Sequence, residues 1–150
     1  MPDELSEVLD TAIYKEIASQ AMYEAAQRKT DDPGAKELLK DLARQEAKHA
    51  DKLKDLRQKG LVKQWHQDEI ADLKISNYLT GGDTLEGAGL QDTLIFAMKR
   101  EEESVDFYRK MMGMMREEAA KKLCANLTNE ELKHKKRLET LYDQLFYGED

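Results

Sequence analysis

The sequence is poor in the residues that tie small folds together covalently or hold metals through sulfur. Of its 150 residues, one is cysteine and two are proline. Cys124 alone cannot form an internal disulfide, and without a Cys-x-x-Cys pair the chain has no thiolate cage for zinc or for a single iron. Any metal bound by this chain must therefore use Glu, Asp and the three histidines as ligands.

Long apolar runs and a net positive charge are also missing. No uninterrupted apolar segment approaches the roughly 20 residues that a membrane span requires. The acidic start MPDELSEVLD lacks the basic and apolar regions of a signal peptide. A formal net charge of −7 would repel a phosphate backbone. We therefore expect a cytoplasmic protein with no nucleic acid or membrane partner, folded as one domain over residues 1–150.

The sequence is instead rich in helix-forming residues and in helical periodicity. Charged residues make up 37% of the chain, with Lys, Glu, Leu and Ala dominant, which favours helix over sheet. Asp32 and Pro33 suit the cap and first position of a helix, whereas Gly113 suits a helix end. The apolar pattern predicts four long helices, over about residues 3–29, 33–60, 90–112 and 114–146.

These helices are predicted to form two antiparallel hairpins, over residues 3–59 and 90–147. The segment between them, residues 60–89, is rich in glycine and contains a possible short helix near residues 67–75. Its length suits a crossover that returns along a helical bundle. The predicted fold is therefore all-α, a four-helix bundle of two hairpins joined by a long crossover.

The two hairpins are copies of one sequence unit. A shift of 85 residues aligns the halves without a gap, and nine of 22 positions in residues 35–56 are identical in residues 120–141. Shared composition would give only roughly two or three such identities, so duplication of a hairpin is the better explanation. The shift superposes four pairs of polar residues, namely Glu16 and Glu101, Tyr23 and Tyr108, Glu46 and Glu131, and His49 and His134.

Four glutamates and two histidines of this repeat are predicted to meet in the core. Each Glu-x-x-His pair places its side chains on one helical face, where they interrupt a stripe of leucines. Four buried carboxylates would cost several kcal/mol per uncompensated ion, whereas two divalent cations would neutralise them. The alternative is a set of satisfied polar core groups without metal. The candidate metal ligands are Glu16, Glu46, His49, Glu101, Glu131 and His134.

Other acids are interpreted as solvated surface charges, and Glu102, Glu103 and Glu130 belong to this class. Tyr23 and Tyr108 lie two turns beyond Glu16 and Glu101 on the same face of their helices. Two roles are open for these tyrosines. They either hydrogen-bond the ligand carboxylates or serve as core aromatics whose hydroxyls are satisfied elsewhere.

Four segments together resemble the rubrerythrin branch of the ferritin-like superfamily: AIYKEIASQAMY (12–23), QEAKH (45–49), AMKREEESVDFY (97–108) and EELKH (130–134). The resemblance covers nearly the whole chain and implies a ferritin-like bundle whose ligands are one Glu from each of two helices and Glu-x-x-His from each of the others. It implies that Glu16 and Glu101 bind terminally or bridge, that Glu46 and Glu131 bridge the metals, and that each histidine binds one metal.

Two features depart from the rubrerythrin pattern. Rubrerythrins typically carry an additional Glu three residues after the ligand Glu of the third helix, where this chain has Ser104. We therefore expect a symmetric site in which neither metal changes ligands with redox state. Rubrerythrins often also carry a rubredoxin domain, which this sequence lacks, so electrons would come from a separate donor such as a rubredoxin.

The resemblance implies a di-iron oxidoreductase that reduces hydrogen peroxide or dioxygen, with two iron ions per chain. Carboxylate and imidazole ligands suit iron or manganese and leave positions open for an oxygen species, and zinc could replace iron in vitro. Two alternatives stay open, namely a ferroxidase that handles iron and a manganese catalase-like enzyme. The resemblance implies a homodimer, which the methionines at 111, 112, 114 and 115 and the acidic, amphipathic helices permit.

Overall fold

The computed structural model describes residues 4–59 and 88–147, which contain four α-helices and no strand. The helices pair as two antiparallel hairpins, α1 with α2 and α3 with α4, in a ferritin-like four-helix bundle. The all-α prediction is confirmed. The predicted crossover lies outside the described residues except for Ala88 and Gly89, and so does the possible short helix over 67–75. The helices are α1 (Glu4–Gln27), α2 (Pro33–Lys59), α3 (Leu90–Met114) and α4 (Glu118–Phe146).

The start of α2 follows the sequence prediction, and the end of α3 lies within one residue of it. Asp32 Oδ2 accepts the Ala35 N–H at 2.8 Å, so Asp32 caps α2 ahead of Pro33. Gly113 was predicted to end α3, but the helix continues through it to Met114. Met111 and Met115 are both buried on either side of this turn.

The interior consists of two apolar cores separated by a polar layer. The first core surrounds the turn between α1 and α2 and includes Leu39, Leu42 and Leu94. The second surrounds the turn between α3 and α4, at the opposite end of the bundle, and includes Leu9, Leu53, Met111 and Leu127. Each fully buried Leu contributes about 1.5–3 kcal/mol to folding. The polar layer between the cores contains the candidate ligands.

Candidate metal centre

The structure brings all six candidate ligands into the polar layer. Each of the four helices contributes to the set, α1 and α3 through one glutamate each and α2 and α4 through a glutamate and a histidine. None of the six side chains is more than 1% exposed. Their carboxylates interrupt the apolar stripes, as the sequence predicted. The six residues are Glu16, Glu46, His49, Glu101, Glu131 and His134.

The six residues form three overlapping groups of potential metal donors, of which one joins both histidines through Glu131 and the other two have four members each. Within each group the donor atoms all lie within 4.8 Å of one another. Position 1 combines Glu16 and His49 with the two shared carboxylates, and position 2 combines Glu101 and His134 with the same two. The shared residues are Glu46 and Glu131, one from each Glu-x-x-His pair. The arrangement offers two adjacent cation positions joined by two carboxylates.

Both histidines turn the same ring nitrogen toward the carboxylates. His49 Nδ1 lies 3.2 Å from Glu16 Oε2 and 3.4 Å from Glu131 Oε1. His134 Nδ1 lies 2.9 Å from Glu46 Oε1 and 3.2 Å from Glu131 Oε1. The two imidazole rings are stacked nearly parallel, with their centroids 5.6 Å apart. Nδ1 is therefore the nitrogen of each ring that can bind a metal.

The two tyrosines hydrogen-bond carboxylates of the donor set. Tyr23 Oη donates to Glu101 Oε1 at 2.6 Å, and Tyr108 Oη donates to Glu16 Oε1 at 2.6 Å. Each tyrosine therefore fixes the glutamate of the other hairpin. Burial and the neighbouring carboxylates raise the pKa of both phenols well above the usual value. Both hydroxyls consequently stay protonated and remain donors at neutral pH.

Sequence reasoning missed two buried cations beside the donor set. Lys15 is fully buried, and its Nζ lies 3.7 Å from Glu16 Oε1 and 3.9 Å from Glu131 Oε2. Arg100 is 5% exposed and donates through Nη2 to the Lys15 carbonyl oxygen at 3.4 Å and to Ser19 Oγ at 3.3 Å. Lys15 and Arg100 correspond under the 85-residue shift. A basic residue at the same position of both repeats was the sequence feature that could have identified them.

Sequence reasoning also misplaced Glu130 and overlooked Gln45. Glu130 was interpreted as a solvated charge, but its side chain is only 35% exposed and lies 3.0 Å from His49 Nε2. Gln45 Oε1 lies 2.8 Å from His134 Nε2. Each residue lies one position before a shared glutamate. Glu102 and Glu103 are exposed, in agreement with the prediction.

In the metal-free protein the pKa of one ligand carboxylate is lowered, whereas the pKa values of two others are raised. Burial alone would raise the pKa of Glu16, but Lys15 and His49 outweigh burial and hold that pKa at about 2. Burial and the charge of Glu131 raise the pKa of Glu101 to about 7, against the influence of His134. Burial and the other three carboxylates raise the pKa of Glu46 well above its usual value.

The same carboxylates make both histidines strong bases. Burial disfavours an imidazolium ion, but contacts with Glu16 and Glu131 raise the pKa of His49 to about 9. Contacts with Glu101 and Glu131 likewise outweigh burial and raise the pKa of His134 to about 10. In the metal-free protein both rings are therefore protonated at neutral pH. A metal that binds through Nδ1 must displace these protons.

The chemistry of the donor set fits a pair of divalent cations. Among the described residues, no donor of good geometry reaches either carboxylate oxygen of Glu46 or Glu131, or Oε2 of Glu101. Buried acceptors left in this state are costly, and metal coordination would satisfy them. Four carboxylates with two neutral imidazoles suit iron, manganese or zinc.

The position of the expected additional carboxylate is occupied by a serine with a different role. Ser104 is buried, and its Oγ donates to the Arg100 carbonyl oxygen of its own helix at 2.8 Å. The equivalent Ser19 accepts from Arg100. Within residues 7–58 and 88–147, the buried carboxylates are therefore the four of the donor set. Position 104 therefore supplies no further carboxylate to the donor set.

Comparison with known proteins gives one family and one fold. A family model described as Rubrerythrin matches residues 7–142. A solved structure of a hypothetical protein from Pyrococcus furiosus matches with a TM-score of 0.74 and 24% identity, over 97% of this chain and 92% of that chain. At this identity the match shows the fold alone. No curated protein is significantly similar to the chain. None of the described helices has the length and apolar content to cross a bilayer.

Proposed function

The chain belongs to the rubrerythrin family, and on that premise we propose that it is a non-haem di-iron oxidoreductase that reduces hydrogen peroxide, or more slowly dioxygen. The observation that carries the proposal is the sharing of Glu46 and Glu131 between two buried donor groups. Shared carboxylates hold two ions side by side, which a single-metal site does not require. A two-electron substrate needs such a pair when each ion gives one electron.

In this proposal each ion has one histidine and one glutamate of its own. Glu16 and His49 hold the ion of position 1, and Glu101 and His134 hold the ion of position 2. The two shared glutamates would contribute ligands to both ions. Two divalent charges balance the four carboxylates, so that the buried centre is close to neutral. Iron is the proposed metal, and manganese or zinc would fit the same ligands.

When bound, two ferrous ions supply the two electrons that convert hydrogen peroxide and two protons into two waters. The chain keeps the ligands ordered and dry. Tyr23 and Tyr108 hold Glu101 and Glu16 through hydrogen bonds of 2.6 Å, and the apolar cores lie on either side of the donor set. The Lys15 ammonium, 3.7 Å from Glu16, places a buried positive charge at the edge of the site.

The ligands are proposed to stay the same in both oxidation states. A metal that changes ligands needs a spare carboxylate within reach, and Ser104 occupies the position where rubrerythrins typically have one. Its hydroxyl is engaged with the backbone of α3. The same histidine and glutamate would therefore hold each ion in both oxidation states.

Electrons are proposed to come from a separate protein such as a rubredoxin. The sequence has one cysteine and cannot build a thiolate iron centre of its own. The homodimer and the cytoplasmic location expected from the sequence stay predictions. The acidic net charge of −7 would favour a donor whose contact surface is positively charged.

Stopped-flow oxidation of the anaerobically reduced, iron-loaded protein tests the function. We expect hydrogen peroxide to oxidise the centre faster than dioxygen, with two irons oxidised per chain. Equal rates with the two oxidants, or ferric product beyond two irons per chain, would replace this proposal with the ferroxidase. A protein purified with manganese that disproportionates peroxide without an electron donor would replace it with the manganese catalase-like enzyme.

A further inference from the structure

The two hairpins differ at one pair of positions that touch the histidines. Residues 45 and 130 correspond under the 85-residue shift, but one is an amide and the other a carboxylate. Each lies against the outer nitrogen of the histidine of the other hairpin. His49 Nε2 is 3.0 Å from Glu130 Oε2, and His134 Nε2 is 2.8 Å from Gln45 Oε1. The candidate ligands are therefore symmetric between the two hairpins, whereas the residues next to the histidine ligands are not.

The hydrogen bonds around these residues fix which nitrogen keeps its proton when an imidazole ring gives up the other proton to bind a metal. An ionised carboxylate can only accept, so His49 donates through Nε2 to Glu130. The Gln45 amide could point either way in isolation. Its Nε2 donates to Asp41 Oδ2 at 2.9 Å, which turns its oxygen toward His134. Both histidines consequently donate through Nε2 and present Nδ1 to the donor set.

A charged acceptor draws the Nε2 proton more strongly than a neutral one, and the opposite nitrogen becomes a better metal ligand. We propose that Glu130 and Gln45 are positioning residues that make the two metal positions unequal. Glu130 strengthens His49 as the ligand of position 1, whereas Gln45 leaves His134 the weaker ligand of position 2. The inference rests on the metal centre proposed above.

Lys15 does not account for this difference. Its ammonium lies 3.7 Å from Glu16, which belongs to position 1, and 3.9 Å from Glu131, which both positions share. The ammonium therefore lowers the metal affinity of both positions. At position 1 this effect is opposite to that of Glu130, which raises the affinity. The contribution of Glu130 has to be measured by changing Glu130 itself.

Zinc titration in competition with a chromophoric chelator measures the two binding steps directly. Glu130→Gln keeps the size and the acceptor oxygen of the side chain and removes only its charge. It is expected to weaken one of the two steps by about 10–100-fold, the usual effect of losing an outer partner of a ligand, and to leave the other nearly unchanged. Gln45→Glu is expected to tighten the other step.

The histidine side-chain proton–nitrogen spectrum of the zinc-loaded protein shows which position responds. The Nε2–H signal of His49 is expected to shift in Glu130→Gln, and that of His134 in Gln45→Glu. Glu139→Gln, an exposed glutamate on the same helix as Glu130, serves as the control and should change neither signal. Melting of each metal-free variant checks that the fold is retained.

The outcomes separate this inference from the proposed function. Glu130→Gln could bind two zinc ions with both affinities unchanged, or with both affinities reduced equally. Either result would overturn the inference and leave the proposed metal centre intact. Wild-type protein that binds no zinc and no ferrous iron would overturn both. A selective loss in Glu130→Gln matched by a selective gain in Gln45→Glu would support the inference, because a merely structural role predicts neither.

Discussion

At the scale of single residues, helical periodicity identified the candidate ligands and missed their neighbours for a definite reason. The Glu-x-x-His ligands fall on a stripe of leucines, and the other two glutamates are paired by the 85-residue shift, so each ligand is conspicuous in the sequence. Lys15 and Glu130 each lie one position from a ligand, about 100° around the helix. Whether such a position is buried depends on how closely the next helix approaches. The sequence of one helix does not contain that information, so tertiary packing decided the burial of Lys15 and the contact of Glu130.

The Tyr23 hydroxyl is predicted to tune the reaction without holding the metals. Tyr23→Phe removes the donor to Glu101 Oε1 and leaves all six candidate ligands in place. We expect two irons per chain as in the wild type and a change of about tenfold or more in the rate of oxidation by peroxide. Tyr14→Phe, in an exposed tyrosine of the same helix, is the control. Iron counting with stopped-flow kinetics checks both parts, and a loss of iron would contradict the assignment.

The buried ammonium of Lys15 is predicted to stabilise the metal-free protein and to oppose metal binding. It compensates Glu16 and Glu131, so Lys15→Met should lower the stability of the metal-free protein by up to about 3 kcal/mol. The same substitution removes a positive charge that competes with the metals. The rise in melting temperature on metal loading should therefore be larger in Lys15→Met than in the wild type.

Calorimetry of the metal-free and zinc-loaded forms checks the Lys15 prediction. Lys40→Met, in an exposed lysine of α2, is the matched control and should leave both melting temperatures nearly unchanged. A smaller gain on metal loading in Lys15→Met would mean that the ammonium supports the metals instead of competing with them.

At the scale of helices and hairpins, the sequence was most informative where local chemistry decides the structure. The apolar period predicted four helices, and the duplicated pattern predicted their pairing, because both features repeat over many residues. The cap at Asp32 was predictable for the same local reason. The end of α3 at Met114 likewise lies one residue from the predicted end at Gly113.

The cap of α2 gives a prediction about the hairpin turn. Asp32→Ala removes the acceptor of the Ala35 N–H and should destabilise the protein by about 1 kcal/mol. Asp31→Ala changes an exposed neighbour that does not make this bond and should have a much smaller effect. Urea unfolding of the metal-free proteins measures both. Equal losses in the two variants would show that charge at the turn, and not the cap, is responsible.

At the scale of the whole molecule, the donor set lies between two apolar cores and joins all four helices, so we expect metal binding at this site to be coupled to folding. The family and the fold were both recognisable from the sequence, since four motifs carry the resemblance over nearly the whole chain. The inequality of the two positions was not recognisable, because it arises from contacts between hairpins.

This coupling predicts a pH dependence with a definite sign. The pKa of Glu101 is raised to about 7, and the pKa values of His49 and His134 are raised to about 9 and 10. All three groups bind protons more tightly in the folded metal-free protein than in the unfolded chain. Its stability should therefore fall as pH rises, from Glu101 between about pH 4.5 and 7 and from the histidines between about pH 6.5 and 10.

Metal loading should reverse the trend, because metal ligands must lose these protons. The difference in melting temperature between zinc-loaded and chelated protein is expected to widen from pH 6 to pH 9. Calorimetry across this range measures it. A difference that narrows toward high pH would show that the buried carboxylates and histidines are not the groups that the metal displaces.

The most direct test of the central claim is a count of ferrous iron bound per chain under anaerobic conditions. We predict two ions per chain in the wild type, and loss of the paired site in Glu46→Ala and in Glu131→Ala, since each removes a carboxylate that both positions share. Glu37→Ala and Glu139→Ala, in exposed glutamates of the same two helices, should still bind two. Wild-type protein that binds no iron, or Glu46→Ala and Glu131→Ala variants that keep both ions, would contradict a paired metal centre at this site.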